Sequence, residues 1–145
     1  MTTGAMSSFT HRSENIARKR LLELHGGLLR LHKQLLDSER VAYEQLHGRI
    51  PTAGAFLQLV INDGWFSWLR VMSELIVQID EVTDAKEPVQ PGDANRFLEQ
   101  ARNLLVPNAT GEGFGKRYYE ALQRDPGVVL SHKETLDILR GDVVE

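Results

Sequence analysis

Cysteine is absent from this 145-residue chain. That removes disulfides, thiol nucleophiles and cysteine-held zinc or iron–sulfur centres from consideration. Basic charge is not in excess: 17 Lys and Arg stand against 20 Asp and Glu, a formal charge of −3. A nucleic-acid binder of general specificity carries a clear basic surplus, so that class is disfavoured. No long hydrophobic run is present either. The most apolar stretch, residues 55–82, is broken by Asn62, Asp63, Arg70, Glu74, Gln78 and Asp80, which a membrane-crossing helix does not tolerate. The first twelve residues are small and polar and lack the apolar centre of a secretory signal. The expectation is a soluble cytoplasmic protein that binds neither nucleic acid nor membrane.

What is there is ordinary globular material. Hydrophobic residues are 41% and charged residues 26%, enough apolar area to offset chain entropy in one domain. From Ser13, a candidate N-cap, a helical pattern runs to His47. Leu21, Leu24, Leu28, Leu31 and Leu35 make one apolar stripe, and Leu22, Leu29, Leu36 and Tyr43 a second beside it. Together they predict a wide face touching two neighbours. His25-Gly26-Gly27 interrupts the composition, but the leucines keep phase across it, which predicts one continuous helix. Gly48 reads as a left-handed C-cap, and Pro51 stops continuation.

Residues 52–84 admit two readings. Asp63-Gly64 between apolar runs is a hairpin signal. Against it, Gln58, Asn62, Asp63, Ser67, Arg70, Glu74, Gln78 and Glu81 step by three and four, as on a helix, and the helical reading is adopted. Lys86–Gly92 is a connection. Asp93 is a candidate N-cap for a helix to Leu105, with Phe97, Leu98, Ala101, Leu104 and Leu105 on one face. Phe114, Tyr118 and Leu122 mark a further helix ending before Pro126. Ser131 to Glu134 fits a capping box for a last helix to Arg140.

The predicted fold is all-α: an up-and-down helical bundle with two long antiparallel helices, about residues 13–47 and 52–84, plus two or three shorter C-terminal helices. Residues 1–12 are expected as a flexible N-terminal tail, 13–140 as a single bundle domain, and 141–145 as a loose C-terminus. In size and layout this resembles the metal-dependent DinB-type and ferritin-like bundles. The histidine triad or paired Glu-x-x-His of those proteins is missing, so the likeness implies fold alone.

Candidate chemistry is sparse. Glu44-x-x-His47 occurs once, at a helix end, where a solvated last turn is the simpler reading than a metal ligand pair. His25, His32 and Glu39 line up at seven-residue steps, roughly 10 Å apart along a helix, too far to share one ion. They are the titratable candidates, read chiefly as a polar flank of the leucine seam. No Gly-x-Ser-x-Gly elbow occurs, and Ser67 and Ser73 have no histidine near in sequence. Gly111-Glu112-Gly113-Phe114-Gly115-Lys116 lacks the Walker spacing and reads as a loop. Arg18-Lys19-Arg20, with Arg12 upstream, reads as a solvated face rather than a docking patch. No catalytic residue, metal or cofactor is assigned.

Trp65, Trp68 and Met72 fall on one helical face beside Gly64, which would let a neighbour approach. Trp and Met are enriched at interfaces and binding surfaces. Tyr118 and Tyr119 could add hydroxyls at the edge of such a site. Bundle core is the plain reading of this set. The leading functional expectation is a non-enzymatic interaction or regulatory module that self-associates as a homodimer, or binds another protein, through the second helical segment. The alternative is a small-molecule-binding bundle with a Trp/Met-lined apolar pocket. A third is an enzyme in which His25, His32 or Glu39 meets Asp63 or Glu74.

Overall fold

Six α-helices and no strand make up residues 3–141, the part described by the computed structural model; side chains are described for residues 11–141. α1 (Thr3–His47) is followed by α2 (Ala53–Asn62), a 3₁₀ turn (Ser67–Leu69), α3 (Arg70–Asp84), α4 (Pro91–Leu104), α5 (Phe114–Arg124) and α6 (Pro126–Leu139). The all-α bundle is therefore the architecture. α1 is its spine: α3, α4, α5 and α6 all pack on it, α6 most extensively.

α1 starts at Thr3, ahead of the expected tail boundary, so Ser13 stands inside the helix and caps nothing. Residues 1–2 and 142–145 of the expected tail and C-terminus lie outside the described residues. The first leucine stripe is core as predicted: Leu21, Leu24, Leu28, Leu31 and Leu35 are fully buried. The second is not. Leu22 and Leu29 are exposed, and only Leu36 packs partly against the core. The apolar face of α1 is narrower than the two stripes suggested, because the surrounding helices cover the first and leave the second at the rim.

The two interior glycines have different reasons to be there. A Cβ on Gly27 would sit 2.7 Å from Ile138 Cδ1, so the bare backbone lets α6 come close. Thr135 Oγ seals that approach, donating to the carbonyls of Ser131 (2.8 Å) and Gly27 (3.4 Å). Gly26 meets only the side chain of Arg30. The helix runs through both without a break. At its end Gly48 takes φ +87° and donates to the Glu44 carbonyl, the left-handed cap expected there.

Cross-helix pairs set the directions. Arg18 donates to the Thr83 carbonyl, His25 faces Asp80 at 3.7 Å, and His32 meets Ser73 at 2.8 Å. The α1 numbers rise as the α3 numbers fall, so the two run antiparallel. α6 is antiparallel to α1 by the same test, with Gly27 at Thr135 and Gln34 at Gly127. Arg102 clamps α4 to the end of α6 with two hydrogen bonds to the Leu139 carbonyl.

The expected long helix over 52–84 is two helices. It breaks at Asp63-Gly64, where the Asp63 carboxylate accepts from the Trp65 amide at 2.8 Å and Phe66 N–H donates to the Asp63 carbonyl. The Asp-Gly signal was a real turn, but one between helices rather than between strands. Thr52 caps α2, its hydroxyl accepting from Ala55 N–H at 3.0 Å. Two other boundaries also shift. Gln90 caps α4 in a reciprocal box with Asp93, which is the third helical residue rather than the cap. Asp125 caps α6 through Gly127 N–H, and Pro126 opens that helix, so Ser131 lies within it.

α2 stands apart energetically. Its ten residues, AGAFLQLVIN, carry no charge, yet none of them is buried. Leu57 and Ile61 are 56% and 52% exposed. Every other α-helix buries at least two side chains. Among the described residues no helix is long and apolar enough to cross a membrane.

Candidate functional site

The line of His25, His32 and Glu39 on α1 exists, but each position meets a different partner. His25 Nε2 lies 3.7 Å from Asp80 on α3. His32 Nε2 is 2.8 Å from the Ser73 hydroxyl, also on α3. Glu39, almost fully enclosed, receives Arg124 Nη2 at 2.9 Å and Arg117 Nη2 at 3.4 Å, both from α5. None of the three is paired with Asp63 or Glu74, the convergence the enzymatic expectation required. Among the described residues no group of three or more His, Asp or Glu is placed to hold a metal ion. The Glu44-x-x-His47 pair is engaged locally: Glu44 accepts from the Ile50 amide at 2.8 Å, and the His47 ring lies 4.5 Å from Tyr43.

Glu39 gathers more of the sequence candidates than its own chemistry suggests. Arg117, held by Glu39, also places its guanidinium 5.6 Å from the Trp65 ring and 6.0 Å from Trp68, and donates to the Trp65 carbonyl. Such cation–ring contacts stabilise a partly desolvated arginine. Arg124 is fixed twice over, its Nε and Nη2 reaching the buried Ser38 hydroxyl at 3.1 and 3.0 Å. The cluster ties the end of α1 to α5 and to the turn before α3. Its acid is buried, and both cations keep about a third of their surface in solvent. That is the profile of a structural clamp, with the charge-assisted hydrogen bonds used up internally.

The aromatic candidates divide. Met72 is fully buried in the main core, and Tyr118 likewise, so neither is available to a second chain. Trp68 packs on Phe114 at 5.2 Å, and Phe114 on Tyr118 at 5.5 Å. The Tyr118 hydroxyl shares a 2.5 Å hydrogen bond with His132 Nδ1. Burial raises the Tyr118 phenol above its ordinary range and lowers His132, so the pair is neutral. Trp65 sits edge-on to Tyr43 and His47 at the end of α1. Tyr119 points elsewhere, under Lys116. Gly64 does not admit a neighbour: a Cβ there would meet open space, and the residue serves the turn. Trp65, Trp68 and Met72 border none of the four cavities described here, so the Trp/Met-lined pocket is not among them.

The basic run is also split. Arg18 and Lys19 are exposed, whereas Arg20 is tucked against Gly141, where a Cβ would meet its guanidinium at 2.7 Å. The Arg20 Nε and Nη2 are buried without a hydrogen-bond partner, so this arginine packs rather than forming part of a solvated face.

The feature that sequence reasoning missed is the His32–Ser73 pair. The residues are 41 apart, and only the antiparallel pairing of α1 and α3 brings them together. They share a cavity of about 420 Å³ with Val60, Ile61, Phe66, Ser67, Leu69 and Arg70. Burial lowers the His32 pKa, so its imidazole is neutral at pH 7. The distance suits a nucleophile and its base. Ser73 also bonds back to the Leu69 carbonyl at 3.3 Å, as helix serines commonly do, and no carboxylate is among the residues lining the cavity. The dyad is a polar floor to the cavity rather than a complete triad. A larger cleft of about 530 Å³ opens between the end of α1 and α2, lined by Tyr43, His47, Ile50 and Leu59 among others. Compared with protein-family models, curated proteins and solved structures, the chain matches none.

Proposed function

We propose that this protein is a non-enzymatic interaction module that self-associates through α2. One observation carries the reading: a ten-residue helix of apolar and uncharged residues is held on the molecule without a single buried side chain. Its outward positions, Ala53, Leu57 and Ile61, recur at four-residue steps, so they form one stripe. A second copy is the favoured partner on chemical grounds. A two-fold contact brings like residues together, and a stripe without charge creates no like-charge repulsion there. The seam thus moves from the expected Trp65–Met72 face, which is turned into the bundle, to the segment just before it.

The size of the effect follows from the exposure. Leu57 and Ile61 are about half exposed, so covering them gains about 1 kcal/mol each, or about 4 kcal/mol for the two copies together. Association entropy opposes this, so the dimer should be reversible, with a dissociation constant of about 1 µM to 1 mM. Sedimentation velocity across that concentration range tests it. The weight-average mass should rise with concentration, and Leu57→Glu should return it to that of one chain. A mass fixed at 16.4 kDa throughout would overturn the proposal. The proposal includes a cytoplasmic location, in keeping with the lack of a membrane-crossing helix among the described residues.

A further inference from the structure

We infer that the cavity floored by His32 and Ser73 is a binding site for a small carboxylic acid with an apolar chain. Its volume of about 420 Å³ lies within the ordinary range for small-molecule sites. The walls are apolar on two sides: Val60 and Ile61 come from α2, and Phe66 and Leu69 from the turn leading into α3. The polar groups are few and convergent, which is how such sites fix a ligand's orientation.

Charge selects the headgroup. Arg70 is the one formally charged residue lining this cavity, and no carboxylate lines it. The other three cavities lack that combination. The cleft at the end of α1 sets Arg49 against Asp63, the groove between α3 and α4 holds Glu74, and the fourth mixes Arg18 and Lys86 with Glu14 and Glu87. The Arg70 guanidinium has five donors, of which the structure uses one, in a long 3.4 Å contact to the Ile61 carbonyl. It is exposed and takes part in none of the ion pairs of the protein's clamped arginines. A carboxylate is the planar, bidentate complement of such a group. The neutral His32–Ser73 pair at the floor adds hydrogen-bonding capacity without a second charge.

Entry is also provided for. The outer wall is α2, which buries none of its own side chains and so is the wall most easily displaced. The proposed dimer stripe centres on Leu57, which does not line the cavity, while Ile61 lies at the edge of both surfaces. A change at Leu57 therefore tests the dimer without altering the cavity lining.

Isothermal titration calorimetry with octanoate, octanol and octylammonium, on the full chain, decides the matter. Octanoate should bind at one site per chain, and octanol and octylammonium at least about tenfold more weakly, since a charge-assisted bidentate contact is lost. Arg70→Gln, a change at an exposed position, should weaken octanoate about tenfold and leave octanol unchanged. Ser73→Phe should fill the cavity and abolish binding of both, with Arg70→Gln deciding alone if that variant does not fold. Absence of saturable octanoate binding, equal affinity for all three probes, or indifference to Arg70→Gln would each overturn the inference. Leu57→Glu should leave octanoate binding intact; its loss in that variant would place the ligand on the outer face of α2 and overturn the assignment to this cavity.

Discussion

Glu39 and its two arginines make a quantitative prediction about which partner is harder to lose. The carboxylate side chain is 2% exposed, while Arg124 and Arg117 keep 34% and 36%. In Glu39→Gln the stranded groups are the guanidiniums, which can turn toward water and keep Ser38 as an acceptor for Arg124. The amide keeps one acceptor oxygen and replaces the other with a donor, so one arginine contact is lost and the other loses its charge, about 2 kcal/mol. In Arg124→Ala the stranded group is the carboxylate. It stays buried with Arg117 alone, at 3.4 Å, and the Ser38 hydroxyl loses its donors as well. Breaking a buried pair in this way costs about 3–5 kcal/mol. Arg124→Ala should therefore be the more damaging change by about 2 kcal/mol, and the double variant should cost less than the sum of the two. Urea denaturation followed by tryptophan fluorescence reads this as a difference in midpoint of about 1 M at an unchanged slope. Glu39→Gln equalling or exceeding Arg124→Ala would refute the reasoning, because it would mean that the arginines, not the acid, are the groups that cannot reach solvent.

Two further predictions follow from burial and close approach. Burial lowers the pKa of His32 and His132, so the unfolded chain binds more protons than the folded one just below pH 6.5; stability should fall as pH drops from 7.5 to 5.5, and His32→Gln with His132→Gln should flatten that dependence in thermal melts, an unchanged slope counting against it. At the paired glycines, Gly26→Ala should stabilise by about 0.4–1 kcal/mol because only the flexible Arg30 lies near, whereas Gly27→Val should destabilise by about 1–3 kcal/mol by pushing α6 away, and melting temperatures moving in the same direction would contradict the packing described.

Much of this architecture could be read from residue order. The Leu21 to Leu35 stripe, the cap at Gly48 and the Phe114–Tyr118–Leu122 face are local patterns, and local patterns survive into the fold. The break at Asp63 is signalled by Asp63-Gly64 but outweighed, because the polar residues on both sides of the turn continue in steps of three and four as they would along one helix. The second stripe misled for another reason. Leu22 and Leu29 have the right period, but period says which residues share a face and not whether a neighbour covers it. The site was the least legible part. His32 with Ser73, and Glu39 with Arg117 and Arg124, are separated by 41, 78 and 85 residues, distances at which only the completed pairing of helices brings side chains together. His32 and Glu39 could be singled out from their line on one helix, but their partners could not.

The packing of the last helix against the first has a consequence for how the protein is made. Thr135 reaches the Gly27 backbone across 108 residues of chain. On the ribosome, at about 5–20 residues per second, roughly 5–20 s elapse between synthesis of the leucine seam and synthesis of the helix that closes over it. During that interval Leu24, Leu28 and Leu31 form an amphipathic helix with an open apolar face, the kind of surface that nascent-chain chaperones hold. Any event that stops translation ahead of Pro126 leaves the part of that face that α6 covers, the most extensive of the contacts on α1, open for good, so early termination in this chain should be read out as aggregation or degradation rather than as a shorter working protein.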